Sequence, residues 1–289
     1  MVNSIVSDSC CVELGNSLVL DDVSFSVDKN SLIAVVGPNG GGKTTLFNAI
    51  TGLVPITNGS IRINGEDVRK GKGNIGYVSQ NENLNWNFPL TARQVVNLGI
   101  TRNLPSIPFI HKNNNSLIEE CLNDVGLYDK IDDRVDEMSG GQRQRVLLAK
   151  ILAQGANILL LDEAFSGVDV GSQISLIEVL RKLKDSGKTI MIATHDINNV
   201  ADRFDEVLCL NRHCCAYGDP LKVFTQEVLS ELYGTHATMF ESHQIGNHGK
   251  KDGHCYYIRA IFISIYGSIT YYLGFSRNHS PINWLFCNK

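Results

Sequence analysis

Nine consecutive residues have the composition that a phosphate chain demands: Gly37, Pro38, Asn39, Gly40, Gly41, Gly42, Lys43, Thr44 and Thr45. They fit G-x-x-x-x-G-K-[ST], with Gly37, Gly42, Lys43 and Thr44 at the fixed positions. Backbone N–H groups must turn inward around a phosphate, and side chains would block them, so glycine fills the loop. A helix starting near Gly42 points its orphan N–H groups and the positive end of its dipole at the β-phosphate. Lys43 brings a full positive charge to the β- and γ-phosphates, and the Thr44 hydroxyl has the reach to ligate Mg²⁺. Alone, this stretch predicts binding of a nucleoside triphosphate.

Other residues suit the chemistry such a ligand invites. Asp162 follows four apolar residues and is placed to reach Mg²⁺, and Glu163 beside it can orient and deprotonate a water at the γ-phosphate. His195 can hydrogen-bond the γ-phosphate and the attacking water, and Gln80 can serve as a neutral ligand to metal or water. A second phosphate-seeking device lies at Met138-Ser139-Gly140-Gly141-Gln142-Arg143-Gln144-Arg145. Ser139 and Gln142 make a capping box, so a helix starts there, and two glycines let a phosphate approach its end. One nucleotide is gripped by both devices when the second comes from another copy. Two chains arranged head to tail, with two nucleotides between them, meet that condition.

These residues need a scaffold. Ser31–Val36 is an unbroken apolar run, as in a strand buried on both faces, with a helix over Thr44–Ile50 ending at Gly52. About Val12–Val27 reads as a β-hairpin-like start; Ser60–Ile63, Ile75–Ser79, Asn157–Leu161, Thr189–Thr194 and Val207–Leu210 read as strands. Capping boxes at Thr91/Gln94 and Ser116/Glu119 open helical patterns, with the polar, proline-broken stretch Pro105–Asn115 between them. Residues about 84–154 therefore read as a helical insertion in an α/β frame, and Ser172–Leu183 as a helix capped by Ser172. Strands alternating with helices imply a mostly parallel sheet whose ligands lie beyond the strand carboxyl ends. Lys43, Gln80, Asp162, Glu163 and His195 all fall at such ends.

The whole chain narrows the classes. With 289 residues it can bury a large core. Its net charge of −4 argues against a nucleic-acid binder held by bulk electrostatics. Eight cysteines, none in C-x-x-C, suggest reduced thiols rather than a zinc ribbon or disulfide scaffold. No signal peptide is visible, and no uncharged apolar run reaches the ~20 residues of a membrane span. His236, His243, His248 and His254 stand in a polar stretch, and Ala260–Phe275 is apolar but short of a span.

In order and spacing the motifs resemble the ABC-type ATPases over about Val12–Gly234. Gly37–Thr44 corresponds to Walker A, Gln80 to the Q-loop, Ser139–Gln142 to the signature and Ile158–Asp162 to Walker B. Glu163 then corresponds to the catalytic glutamate, Ser166–Asp169 to the D-loop and His195 to the H-loop. Leu14 stands where an aromatic usually stacks on adenine. The stretches Asn85-Trp86-Asn87-Phe88-Pro89-Leu90-Thr91 and Val95–Gly99 resemble the ATPase subunits of manganese, zinc and iron importers. So do Glu163–Asp169 and Leu210–His213 with Tyr217-Gly218.

The resemblance implies a P-loop NTPase fold of ABC type: α/β, a mostly parallel core sheet, an N-terminal antiparallel β subdomain and the inserted helical subdomain. It implies an ATP-binding domain over residues 1–240, an extension over 241–289, and ATP and Mg²⁺ as cofactors. The implied function is ATP hydrolysis powering divalent-metal import at the cytoplasmic face of the membrane. The implied partners are a second copy, a separate permease and an extracytoplasmic metal-binding protein, with no nucleic acid. A soluble ABC ATPase acting on nucleic acid or ribosomes, or an exporter subunit, is the competing expectation. Trp86 and Phe88, beside Gln80, would make an anchor for a partner helix if exposed, and pack inside the helical subdomain otherwise.

Overall fold

The computed structural model describes residues 3–69, 74–79, 89–101, 114–165, 167–195, 197 and 200–234. Its elements run β1 (Asn3–Leu14), β2 (Ser17–Asp28), β3 (Leu32–Val36), α1 (Lys43–Ile50), β4 (Asn58–Ile63), β5 (Glu66–Asp67) and β6 (Ile75–Val78). Then come α2 (Ala92–Thr101), α3 (Asn115–Asp124), α4 (Gly140–Ala153), β7 (Ile158–Asp162), α5 (Val170–Asp185) and β8 (Thr189–Thr194). The last are α6 (Val200–Arg203), β9 (Glu206–Asn211), β10 (His213–Gly218), α7 (Pro220–Val223) and α8 (Gln226–Tyr233).

Two sheets form. The core sheet has the order β10-β9-β3-β8-β7-β6, parallel throughout except for the antiparallel β9–β10 edge. The other is antiparallel, in the order β2-β1-β4-β5. Every residue of β3, β7 and β8 is buried, because both faces of the core sheet are covered. Side-chain alternation divides the covering. Leu32, Ala34 and Val36 pack with residues of α2, α3, α4 and α5; Ile33 and Val35 pack with α1 and the antiparallel sheet.

Several local expectations shift. The hairpin begins at Asn3 rather than near Val12, with Ile5, Cys10 and Val12 buried. A register shift between Ser7 and Cys10, with Ser9 at φ 47°, breaks the alternation that would have revealed β1. Thr91 and Gln94 cap reciprocally: Gln94 N–H donates to the Thr91 hydroxyl (3.3 Å) and Thr91 N–H to Gln94 Oε1 (2.9 Å). Ser116 caps nothing, because α3 starts at Asn115 with Asn114 before it. Ser172 is not the cap of α5; Asp169 is, accepting from Ser172 N–H at 2.9 Å. Asp–x–x–Ser and Ser at the cap are both good N-terminal patterns, and the structure uses the earlier one. Strand β10 was not anticipated. The Pro105–Asn115 loop up to residue 113, Gln80, Trp86, Phe88, Ser166 and the 241–289 extension lie outside the described residues.

Candidate functional site

Strand β3 runs into residues 37–42, and α1 begins at Lys43 with Gly42 as its N-cap. Gly42 sits at φ 96°, a conformation that side chains resist. Gly37 is required by proximity: a Cβ there would lie 1.9 Å from the Leu210 carbonyl oxygen. The turn between β9 and β10 braces the loop as well, since Arg212 N–H donates to the Gly41 carbonyl at 2.9 Å. Gly41 N–H donates to the Pro38 carbonyl at 3.1 Å, closing a turn over Pro38, Asn39 and Gly40. Thr44 and Thr45 form the first turn of α1 behind Lys43.

Lys43 is buried, and its ammonium donates to the carbonyls of Gly37 and Pro38, both at 2.9 Å. Burial pushes the Lys43 pKa down, opposed by the charges of Glu163 and Asp162. The carboxylates at the end of β7 are therefore electrically in contact with the phosphate loop. Asp162 is buried; burial raises its pKa, the Thr44 hydroxyl opposes that rise, and the Glu163 charge adds to it. Its Oδ2 accepts from the Tyr77 hydroxyl at 3.4 Å, while its Oδ1 is buried with no hydrogen-bond partner. A buried, unpartnered carboxylate oxygen beside a threonine hydroxyl fits a hard divalent cation such as Mg²⁺.

Glu163 is half-buried with φ 53°, a left-handed conformation uncommon for glutamate, and its N–H donates to the Ala193 carbonyl at 3.1 Å. That bond ties it to β8, whose end carries exposed His195. A cleft beside His195 is lined by Phe165, Gln173, Thr194, Val200, Arg203 and Phe204.

The second motif forms as its residues predict. Ser139 N–H donates to Gln142 Oε1 (3.0 Å), and Gln142 N–H donates to the Ser139 hydroxyl (3.3 Å). Gly140 and Gly141 also have a packing reason. A Cβ on Gly141 would meet the Ser172 Cβ at 2.6 Å, and one on Gly140 would lie 3.3 Å from the Gly167 carbonyl. The start of α4 thus rests on residues 167–172, just downstream of Glu163. Sequence reasoning missed Tyr77 and the Leu210–Arg212 brace. Tyr77 reads only as a strand residue, and a brace made of backbone leaves no side-chain signal.

The fold and this site define a P-loop ATPase. The family model described as ABC transporter matches residues 20–166. The chain is 36% identical over 234 residues to the manganese transport system ATP-binding protein MntB of Bacillus subtilis, across 81% of this chain and 94% of that one. It is 38% identical over 216 residues to the zinc transport system ATP-binding protein TroB of Treponema pallidum, across 75% and 81%. Among solved structures, the ADP conformation of MJ1267, an ATP-binding cassette of an ABC transporter, superposes with a TM-score of 0.72 at 23% identity. That match covers 82% of this chain and 100% of the other, and at such identity it speaks to the fold. The chain belongs to the ABC transporter family and is an ATP-binding subunit that hydrolyses ATP.

Proposed function

We propose that this subunit powers import of a divalent metal ion, manganese, zinc or iron, while bound peripherally to the cytoplasmic face of the membrane. The observation that carries the reading is the 36–38% identity, over three quarters or more of the chain, to subunits named for manganese and zinc transport. Its partners are a second copy of the chain, a separate transmembrane permease and an extracytoplasmic metal-binding protein. Residues 1–240 form the ATP-binding domain, with about 84–154 as its helical part.

The chain's own residues supply the following steps. Backbone N–H groups among residues 39–45 wrap the β-phosphate. Lys43, whose ammonium rests on the Gly37 and Pro38 carbonyls, transfers those hydrogen bonds to the incoming phosphate oxygens. Thr44, Asp162 and Gln80 would hold Mg²⁺, which would supply screening of the phosphate charge. Glu163 takes the proton of the attacking water, and His195 holds that water and the γ-phosphate in line. Ser139, Gly140, Gly141 and Gln142 of the second copy close over the γ-phosphate, so closure reports nucleotide state to the permease. Trp86 and Phe88 receive a helix of that permease.

Purifying the tagged chain from detergent-solubilised membranes, and measuring metal uptake by cells lacking it, tests the reading. A co-purifying permease and reduced uptake of one of the three metals are expected. Unchanged uptake of all three would overturn metal import.

A further inference from the structure

The outermost strand of the core sheet carries a second set of reactive side chains. Residues two apart on a strand share a face, which brings His213 and Cys215 together on β10. Pairing of β10 with β9 slips between Cys214 and Ala216, so Cys215 sits in a bulge that re-aims its side chain. Cys214 packs into the core on the α1 side, whereas Cys215 packs on the opposite side. There α8 brings up Glu231. Asn211 holds that helix in place by donating from Nδ2 to the carbonyls of Glu231 and Leu232, each at 3.4 Å.

His213 Nε2 lies 2.7 Å from Glu231 Oε1, and Cys215 Sγ lies 3.7 Å from the same nitrogen. One ligand atom from each residue falls within 4.8 Å of the other two. All three side chains are half-buried, which lowers the dielectric without closing the group to solvent. Among the described residues, no other group of three or more histidines, cysteines and carboxylates converges in this way.

We propose that His213, Cys215 and Glu231 form a binding site for a borderline-soft divalent cation of the zinc class, separate from the nucleotide site. Tetrahedral bonds of ~2.0 Å to nitrogen or oxygen and ~2.3 Å to sulfur put N and S about 3.5 Å apart, and N and O about 3.3 Å apart. The Cys215–His213 pair already has this spacing. The His213–Glu231 contact of 2.7 Å must open by about 0.6 Å to reach that N–O spacing, within rotamer adjustment for a glutamate on a helix surface. Thiolate and carboxylate together match a double positive charge. Without a cation, burial and the Glu231 charge hold the Cys215 thiol up, so it stays protonated. On binding, the thiol proton leaves to solvent, and His213 takes the tautomer that carries its proton on Nδ1, so that neutral imidazole offers the Nε2 lone pair. Three protein ligands leave a fourth position for water, the arrangement of an exchangeable site rather than a closed structural one. Sulfur and imidazole select zinc or cobalt over manganese and magnesium, whose preference is oxygen. This inference does not rest on the metal-import reading.

The test is titration of the nucleotide-free full chain with Co²⁺ in excess Mg²⁺, read by absorbance, followed by displacement with Zn²⁺. The wild type is expected to bind one equivalent, with a near-ultraviolet thiolate charge-transfer band and the visible bands of tetrahedral cobalt. Cys215→Ser should lose the charge-transfer band. Glu231→Gln, an isosteric change on the helix surface, should keep the band and weaken binding at least tenfold. Cobalt binding without a charge-transfer band, or with a band that survives Cys215→Ser, would overturn the proposal. So would equal affinities in wild type and Glu231→Gln.

Discussion

The nucleotide site and the His213–Cys215–Glu231 cluster are built by opposite means. At residues 37–42 the proposed contacts to nucleotide come from backbone. Side chains are removed rather than supplied, and Gly37 fits only because nothing else clears the Leu210 carbonyl. At the β10–α8 edge the backbone is incidental, and three side chains from two elements converge. The first site therefore needs a contiguous sequence, and the second needs only tertiary structure. The two are also neighbours along the chain: Arg212, whose N–H braces the phosphate loop, directly precedes His213. Whether they work independently is an experimental question, and the largest expected effects address it.

Glu163→Gln removes the proposed base, so turnover should fall by on the order of 10²–10⁴-fold. ATP binding should persist and the closed dimer accumulate on sedimentation with ATP. Cobalt titration of the same variant should match wild type if the sites are separable. Turnover at the wild-type rate would remove Glu163 from the role of base.

Ser139→Arg sharpens the comparison by separating the copies. Bulk and charge there should abolish ATPase activity while leaving ATP binding by the single chain intact. Mixing it with Lys43→Ala should regain activity, because each mixed dimer holds one composite site with both halves wild-type. Loss of nucleotide binding by Ser139→Arg alone would place Ser139 in its own chain's site.

How much was legible follows from the same contrast. Residues 37–45 and 139–142 announced themselves because helix starts and phosphate contacts demand particular residues at fixed offsets. The strand ends at Asp162 and His195 were readable because a strand covered on both faces is an unbroken apolar run. Strand β1 was mostly hidden, since its irregular register at Ser7–Cys10 scatters the period-two pattern. Ser116 and Ser172 misled because Asn114 and Asp169 stand before them, where the chain turns. Tyr77, in β6, shares a strand with nothing that marks it; its importance arises only when β6 pairs with β7 beside Asp162. Cys215 and Glu231 are sixteen residues apart on different elements, and no spacing rule joins them.

Trp86→Ala probes the part of the molecule that neither site includes. If Trp86 anchors the permease, association should weaken more than tenfold, a cost of ~2 kcal/mol or more, with ATP affinity unchanged. Metal uptake should fall in parallel. A lowered melting temperature with an unchanged pull-down would make Trp86 a packing residue instead.

The smallest expected effect tests whether the nucleotide site is held at the expense of stability. Asp162 is buried, its Oδ1 lacks a partner, and burial raises its pKa. A folded-state pKa above the unfolded one means that the folded chain binds the proton more tightly. Stability then declines as pH rises from the ordinary carboxylate range through the raised value, and the penalty is complete above it. Asp162→Asn cannot ionise and escapes this penalty. In metal- and nucleotide-free buffer with EDTA it should melt higher than wild type at neutral pH. The gain should be on the order of 1 kcal/mol, or about 2–4 °C for a domain of this size. The advantage should shrink as the pH is lowered through the same window, while ATP hydrolysis is lost at every pH. Cys215→Ser, in contrast, should leave the metal-free melting temperature nearly unchanged, since the cluster's polar atoms already pair with each other. An Asp162→Asn chain less stable than wild type at neutral pH would show that the carboxylate is satisfied in the folded protein, and that the site carries no such strain.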